Sequence, residues 1–191
     1  MPFTRSLNLH RLTRHNEPHW GQSLNVNHQH SCFARDWLLY EGSLTKKLQR
    51  CSSGDFRVLL MSQSVQTVRF SEQRALKLNT RQRALLREVT LFVNGTAWVY
   101  ARTIIPLGTL KGKLRYLQHL GNRPLGEQLF VNPTMQREAM MFATVANAHL
   151  PAELKHSKPL GGRRTLFKLN NKPLLVCEIF LAAIYDEARR L

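Results

Sequence analysis

The sequence predicts an α+β fold in which a single antiparallel β-sheet of about six strands is covered by helices. The dipeptide Asn94-Gly95 separates two β-rich runs between Leu85 and Ile105, a pattern typical of a two-residue hairpin whose turn residues both need positive φ. A second hairpin is indicated between Arg163 and Ile184, turning at Asn170-Asn171. Because hairpin strands pair antiparallel and strand-like segments outnumber helical ones, the helices are expected to cover one face or end of this sheet.

The remaining elements are predicted from local patterns. Leucine spacing indicates helices near 36–39, 44–48 and 110–120, the second capped by Ser43 and the third ending at Gly121. Phe56–Met61 is expected to be a strand, and a further strand is expected within 134–145. Residues 71–79 form a polar connector of undefined structure, and Pro124-Leu125-Gly126 interrupts the chain before Leu129.

Length and composition favour one compact domain, residues 36–191, preceded by a basic, histidine-rich tail, residues 1–35. The chain has 191 residues, of which 43% are apolar, enough to bury a core without disulfides or metal. The longest apolar run, 173–185, is interrupted by Glu178, so no membrane span is expected. The three cysteines are widely spaced and form no C-x-x-C pair, which favours a reducing, cytoplasmic location.

The tail and the net charge leave several functions open. The Arg-rich, acid-poor start is also compatible with a transit peptide, and His28, His30 and Cys32 could hold a metal, although alternate residues of a polar tail are more often solvated. We therefore predict no metal site. The net charge of +16 would attract polyanions or small acidic substrates alike. No zinc finger, basic helix or aromatic-basic RNA motif is present, so nucleic-acid binding is not expected.

Two arginines in the first hairpin are candidates for an anion site. With Asn94-Gly95 as the turn, Arg87 is expected to face Arg102 on the buried side of the sheet. Facing like charges destabilise a sheet, and a guanidinium cannot lose its proton. Either both arginines pair with core carboxylates or reach the sheet edge, or they bind a small carboxylic acid, which the planar arginine fork suits.

Glu178 is the complementary candidate. It is the only carboxylate between Lys172 and Asp186, within a strongly apolar run. Desolvation would raise its pKa and a cationic neighbour would lower it. If the second turn is Asn170-Asn171, Glu178 faces Arg163, and a structural cross-strand ion pair is then an alternative to a functional role.

These residues lie within a series of short motifs that resembles the chorismate pyruvate-lyase family. The matching motifs keep their order and spacing along most of the chain: Asp36-Trp37-Leu38-Leu39, Gly42-Ser43-Leu44-Thr45-Lys46, Leu86-Arg87-Glu88, Ala101-Arg102-Thr103, Pro106, Leu120-Gly121, Pro124-Leu125-Gly126, Leu129-Phe130, Lys172-Pro173-Leu174-Leu175 and Glu178-Ile179-Phe180-Leu181. The basic start and the charged end from Ala182 to Leu191 depart from the family pattern.

The resemblance implies a carbon–oxygen lyase that converts chorismate to 4-hydroxybenzoate and pyruvate at the start of ubiquinone synthesis. It implies a monomer with a buried ligand site and no metal or organic cofactor. By the same resemblance, Arg87 binds the ring carboxylate and Glu178 meets the hydroxyl, while the Leu44 backbone and Leu125 complete the pocket. Arg102 is carried over as a helper for the second carboxylate. A non-catalytic ligand-binding module of the related sensor fold is the main alternative, although no helix-turn-helix segment is expected.

Overall fold

A computed structural model describes residues 17–23 and 32–187 of the chain. Its strands are β1 (Phe56–Thr67), β2 (Arg83–Val93), β3 (Thr96–Pro106), β4 (Gln136–Arg137), β5 (Met141–Val145), β6 (Leu160–Leu169) and β7 (Lys172–Phe180). They form one antiparallel sheet in the order β1-β2-β3-β7-β6-β4, with β5 also paired to β6. The α+β prediction is confirmed. The described sheet has seven strands rather than about six because the segment 134–145 contains two short strands that pair with different parts of β6.

The helices of the described residues are α1 (Cys32–Leu38), α2 (Leu44–Cys51), α3 (Phe70–Leu76), α4 (Leu125–Phe130) and α5 (Ala182–Glu187). The Ser43 cap is confirmed, because its hydroxyl accepts a hydrogen bond from the Lys46 N–H at 3.4 Å. The polar connector 71–79 is largely helical, as α3. Residues Gly112–His119 form a 3₁₀ helix, and Gly121 ends this segment with positive φ as expected.

The first hairpin turns at Asn94-Gly95, and both turn residues have positive φ. The predicted register holds only for the first two pairs, Val93 with Thr96 and Phe92 with Ala97. Leu91 then pairs with Val99, so Trp98 is an extra residue in β3, a β-bulge. Trp98 packs edge-on against Trp37, with ring centroids 5.8 Å apart. The bulge shifts every later pair of this hairpin by one residue.

The second hairpin turns at Asn170-Asn171, again with positive φ at both residues. Its register is the predicted one: Leu169 pairs with Lys172, and Arg163 pairs with Glu178. This hairpin has no register shift, so the simple alternation of sides that the sequence predicts applies along its whole length.

The core lies on both faces of the sheet. On the face that carries α2 and α4, one cluster is built around Trp37, Leu48 and Val89, and a second around Leu114, Leu117 and Phe167. The opposite face carries α3 and two further clusters, which include Leu76, Leu86, Tyr100 and Ile179. The two clusters of the first face meet above the middle of the sheet, where the candidate site lies.

Residues 17–23, from the predicted tail, contact the sheet domain. The Glu17 carboxylate accepts hydrogen bonds from the N–H groups of Phe70 and Ser71 at 2.9 and 3.0 Å, which caps α3. Gly21 forms a β-bridge with Phe142. The possible metal ligands His28 and His30 lie outside the described residues, as does the side chain of Cys32. Most of the segment compatible with a transit peptide also lies outside them. None of the described helices is long and apolar enough to cross a membrane.

Candidate active site

A cavity lies between the sheet and the helices α2 and α4, where the two apolar clusters meet. It encloses about 640 Å³, including space at its mouth that is open to solvent. Most of its wall is aliphatic or aromatic, and its ionisable side chains are Arg87, Arg137, Arg163 and Glu178. An apolar cavity with a few charged groups of mostly one sign is typical of a site for a small anionic molecule. All four expected site residues other than Arg102, namely Arg87, Glu178, Leu44 and Leu125, line this cavity.

Arg87 is almost completely buried, with 1% of its surface exposed. Its Nη2 donates hydrogen bonds to the carbonyls of Gly121 and Arg123, each at 2.9 Å. Its Nε has no partner among the described residues, and Arg87 forms none of the salt bridges found in them. Burial lowers the pKa of Arg87 to about 10, so the group is cationic at neutral pH and retains a donor for an incoming anion.

Glu178 forms the ion pair that the strand register predicts. Its Oε2 accepts a hydrogen bond from Arg163 Nε at 2.6 Å. Arg163 Nη1 also donates to the carbonyls of Trp37, Leu38 and Tyr40, which fastens the end of α1 to the sheet. Oε1 of Glu178 has no partner among the hydrogen bonds of the described residues, so one oxygen is engaged and the other is available. The structural and the functional interpretation of Glu178 are therefore compatible.

The sheet fixes the separation of Arg87 and Glu178. Glu178 pairs with Ala101, Ala101 pairs with Val89, and Arg87 lies two residues from Val89 on β2. The Cα atoms of Arg87 and Glu178 are therefore about 12 Å apart, because they are separated by two strand spacings across the sheet and two residues along a strand. Both side chains line the same cavity, so a cation and a carboxylate lie at separate positions with apolar wall between them. This arrangement suits a rigid ligand with an acid at one end and a hydroxyl at the other.

Helices α2 and α4 form the wall opposite the sheet. Leu44 begins α2 and Leu125 begins α4, and both side chains are buried. The N–H groups of a helix's first turn have no carbonyl partner within the helix, and Leu44 is the first residue of α2. Gly126 lets the helices approach closely, because a Cβ at this position would lie 2.7 Å from Thr45 Oγ1.

The prediction that Arg102 faces Arg87 is wrong. The bulge at Trp98 pairs Arg87 with Thr103 and places Arg102 opposite Glu88, on the other face of the sheet. There Arg102 forms salt bridges with Glu72 and Glu88, both at 2.8 Å. Although burial opposes the charged form, these two carboxylates raise the pKa of Arg102. The alternative of pairing with core carboxylates therefore holds for Arg102, and Arg102 does not line the cavity.

Arg137 is a cavity residue that sequence reasoning missed. It lies on the two-residue strand β4, where it pairs with Phe167 of β6. Its guanidinium lies 5.9 Å from the Phe167 ring, donates to the Glu41 carbonyl and contacts Met140 Sδ at 2.9 Å. Burial and the charge of Arg163 lower the pKa of Arg137. Nothing in the local sequence indicates that Arg137 reaches the site, because its position depends on β4 joining the far edge of the sheet.

Comparison with known proteins agrees with this geometry. The family model described as chorismate lyase matches residues 15–190. The chain belongs to the chorismate lyase family. It is therefore an enzyme of the carbon–oxygen lyase class. A protein of Methylococcus capsulatus named "Probable chorismate pyruvate-lyase" is 38% identical, over 78% of this chain and 94% of its own length. A protein of the same name from Pseudomonas putida is also 38% identical, over 81% of this chain and 83% of its own length.

Among solved structures, this chain resembles the effector domain of PhnF from Mycobacterium smegmatis. The TM-score is 0.56 at 14% identity, and the match covers 76% of this chain and 91% of that domain. The full-length PhnF structure gives a TM-score of 0.54 and covers 76% of this chain and 66% of that one. At this identity the likeness shows a shared fold.

Proposed function

We propose that this chain converts chorismate to 4-hydroxybenzoate and pyruvate, and that it supplies the first step of ubiquinone biosynthesis. The observation that carries the proposal is the placement of Arg87 and Glu178 at separate positions in one apolar cavity. The product carries a carboxylate and a hydroxyl on opposite carbons of an aromatic ring, and the two side chains can meet these groups at once. The monomeric state and the cytoplasmic location expected from the sequence remain predictions.

The reaction needs positioning more than strong chemical activation. The ether bond between the ring and the enolpyruvyl group breaks, the neighbouring ring carbon loses its proton, and the departing enolpyruvate gains a proton to become pyruvate. Because an aromatic ring forms, the reaction is strongly downhill. An enzyme has to hold the ring in an eliminating conformation and stabilise the negative charge that develops on the leaving oxygen.

Arg87 would fix the ring carboxylate through the donors that the loop carbonyls leave unused. Gly121 and Arg123 occupy Nη2, which holds the guanidinium in one orientation. A carboxylate would also offset part of the free-energy cost of burying this charge. The backbone N–H at Leu44 and the side chain of Leu125 would complete the contacts around the ring.

Glu178 would bind the ring hydroxyl through Oε1 while Oε2 stays on Arg163 at 2.6 Å. The bond from Arg163 Nε orients the carboxylate, as second partners orient catalytic groups in many enzymes. In this position Glu178 lies close to the ring carbon that loses its proton. It can therefore act as an anchor for the hydroxyl and as an acceptor for that proton.

The direct test is to incubate the pure protein with chorismate, without added metal, and to quantify both products. We expect 4-hydroxybenzoate and pyruvate in equal amounts, at a rate proportional to enzyme concentration. The Arg87→Ala variant, prepared in the same way, controls for contaminating lyase. No product from the wild-type chain, or equal rates from both proteins, would contradict the proposal.

Because the fold is shared with an effector domain, one further result is needed to separate turnover from ligand binding alone. A non-catalytic module would bind 4-hydroxybenzoate, as measured by titration calorimetry, and leave chorismate unchanged over many hours. The lyase would convert chorismate and would be inhibited by added 4-hydroxybenzoate, because the product retains both groups that Arg87 and Glu178 meet.

A further inference from the structure

The Glu178 side of the cavity carries more positive charge than its one carboxylate balances. Arg163 is paired with Glu178, whereas Arg137 forms none of the salt bridges found among the described residues. The two guanidinium groups are near each other, since Met140 Sδ lies 2.9 Å from Arg137 Nη2 and 3.8 Å from Arg163 Nη1. The exposed Glu41 carboxylate also acts on Arg137, from outside the cavity. Within the cavity, two cations and one anion share this region, and a second anion there would balance it.

Chorismate has a second carboxylate in the matching place. Its enolpyruvyl ether is attached to the ring carbon next to the one that bears the hydroxyl. If Glu178 meets the hydroxyl, the side-chain carboxylate must lie on the same side of the cavity, away from Arg87. Arg102, expected to meet this group, is on the opposite face of the sheet.

We propose that Arg137 binds the enolpyruvyl carboxylate of the substrate, a group that the aromatic product lacks. This inference rests on the proposed function. Arg137 is half-buried at the cavity wall and is held by the Phe167 ring and the Glu41 carbonyl. When the ether bond breaks, electrons move onto the oxygen of the departing enolpyruvate, and a fixed cation beside its carboxylate stabilises that charge. Arg137 would then distinguish substrate from product, whereas Arg87 would bind both.

A purely structural Arg137 predicts a different pattern. Its hydrogen bond to Glu41 connects β4 to the segment between α1 and α2, so its loss would disturb the cavity as a whole. Binding of substrate and product would then weaken together. Measuring the two ligands separately therefore distinguishes a substrate contact from a structural one.

The test compares Arg137→Gln and Arg137→Lys with wild type, using kcat/KM for chorismate and the inhibition constant for 4-hydroxybenzoate. For Arg137→Gln we expect kcat/KM to fall roughly ten- to hundredfold, the range for loss of one charge-assisted hydrogen bond. The inhibition constant for 4-hydroxybenzoate should change by less than about threefold, as expected for a substitution that does not contact this ligand. Arg137→Lys keeps the charge and should recover part of kcat/KM.

Arg57→Gln is the matched control. Arg57 also lies over an aromatic ring, with its guanidinium carbon 5.0 Å from the centroid of Phe92, but it does not line the cavity. The variant removes the same charge from the molecule and should keep kcat/KM near the wild-type value. An unchanged kcat/KM in Arg137→Gln, or an equal loss for chorismate and 4-hydroxybenzoate, overturns the inference. If the wild-type chain does not convert chorismate, the proposed function itself is contradicted. That result is obtained with the wild-type protein alone, so it is distinguishable from a failure of the Arg137 inference.

Discussion

Buried arginines in this sheet differ in function because their partners differ. Arg102 has two carboxylates and Arg163 has one, together with three backbone carbonyls. Arg87 has two carbonyls only. Carbonyl groups orient a guanidinium but leave its net charge unbalanced, so of these three arginines Arg87 is the one best suited to a ligand carboxylate.

The first prediction concerns the two ends of the proposed ligand. Arg87→Lys keeps the charge but loses the planar fork, and Glu178→Gln keeps the shape but loses the charge. We expect each to lower kcat/KM for chorismate by at least about tenfold, since each removes a contact to a charged group. Steady-state kinetics, with thermal unfolding as a check on folding, provide the measurement. Wild-type kcat/KM in both variants would show that the site is assigned wrongly.

The second prediction separates Arg102 from the site. Arg102→Met leaves Glu72 buried without its partner, which should lower the free energy of unfolding by about 3 kcal/mol or more. Because Arg102 lies on the opposite face from the cavity, kcat/KM of the folded variant should remain near wild type. Urea unfolding and steady-state kinetics at a temperature where the variant is folded test both parts. A large kinetic effect with little loss of stability would restore Arg102 to the active site.

At the residue scale, the sequence allowed correct prediction wherever the strands are regular. Glu178 and Arg163 were expected to face each other, and they do. Arg102 was placed wrongly because a bulge depends on how Trp98 packs against Trp37, a contact between distant parts of the chain. Arg137 was missed for the same kind of reason, since only the tertiary order of strands brings it beside Glu178.

At the scale of elements, the contact between α2 and α4 determines the shape of the cavity. Leu44 and Leu125 lie on these two helices, and Gly126 meets Thr45 where the helices are closest. Local patterns predicted α2 and its cap but interpreted the start of α4 only as a break at Pro124. The proline does precede a helix, because its fixed φ and missing N–H are tolerated at a helix start.

The third prediction tests this helix contact. Gly126→Ala would place a methyl group 2.7 Å from Thr45 Oγ1, so we expect the free energy of unfolding to fall by about 1–3 kcal/mol through overpacking. The double variant with Thr45→Ala lacks the clashing oxygen. In the Thr45→Ala background, Gly126→Ala should therefore lower the free energy of unfolding much less than it does in the wild-type background. Chemical unfolding of the four proteins gives the coupling energy.

Gly108→Ala is the control for this cycle, because a Cβ there would meet nothing within 4 Å. Its free energy of unfolding should stay within about 0.5 kcal/mol of wild type, as for an ordinary surface substitution. Strict additivity of Gly126→Ala and Thr45→Ala would mean that the helices do not constrain each other at this point.

At the scale of the whole molecule, the positive charge is a property of the chain and of the cavity alike. The sequence carries 28 basic and 12 acidic residues, and the cavity has three arginines and one glutamate. Such a field concentrates small anions near the protein and raises their association rates. Net charge could be read from the sequence, whereas its focus in one cavity could not, because that depends on which arginines find carboxylate partners.

The fourth prediction follows from that field. Raising NaCl from about 10 mM to about 500 mM shortens the screening length severalfold. We expect kcat/KM for chorismate to fall by about tenfold, with a smaller change in kcat, because long-range capture weakens more than contacts within the cavity. Repeating the series with potassium glutamate controls for specific chloride binding. A kcat/KM that is independent of ionic strength would exclude steering by the overall charge.

The bulge at Trp98 also limits how the first hairpin can change in length during evolution. Side chains alternate across a strand, so losing one residue between the Asn94-Gly95 turn and Val99 would move every later β3 side chain to the opposite face. Thr103 would leave the cavity, and Arg102 would enter it beside Arg87. A single insertion or deletion in this short segment must therefore be compensated by a second length change, because the number of residues here decides which charged side chains face the ligand.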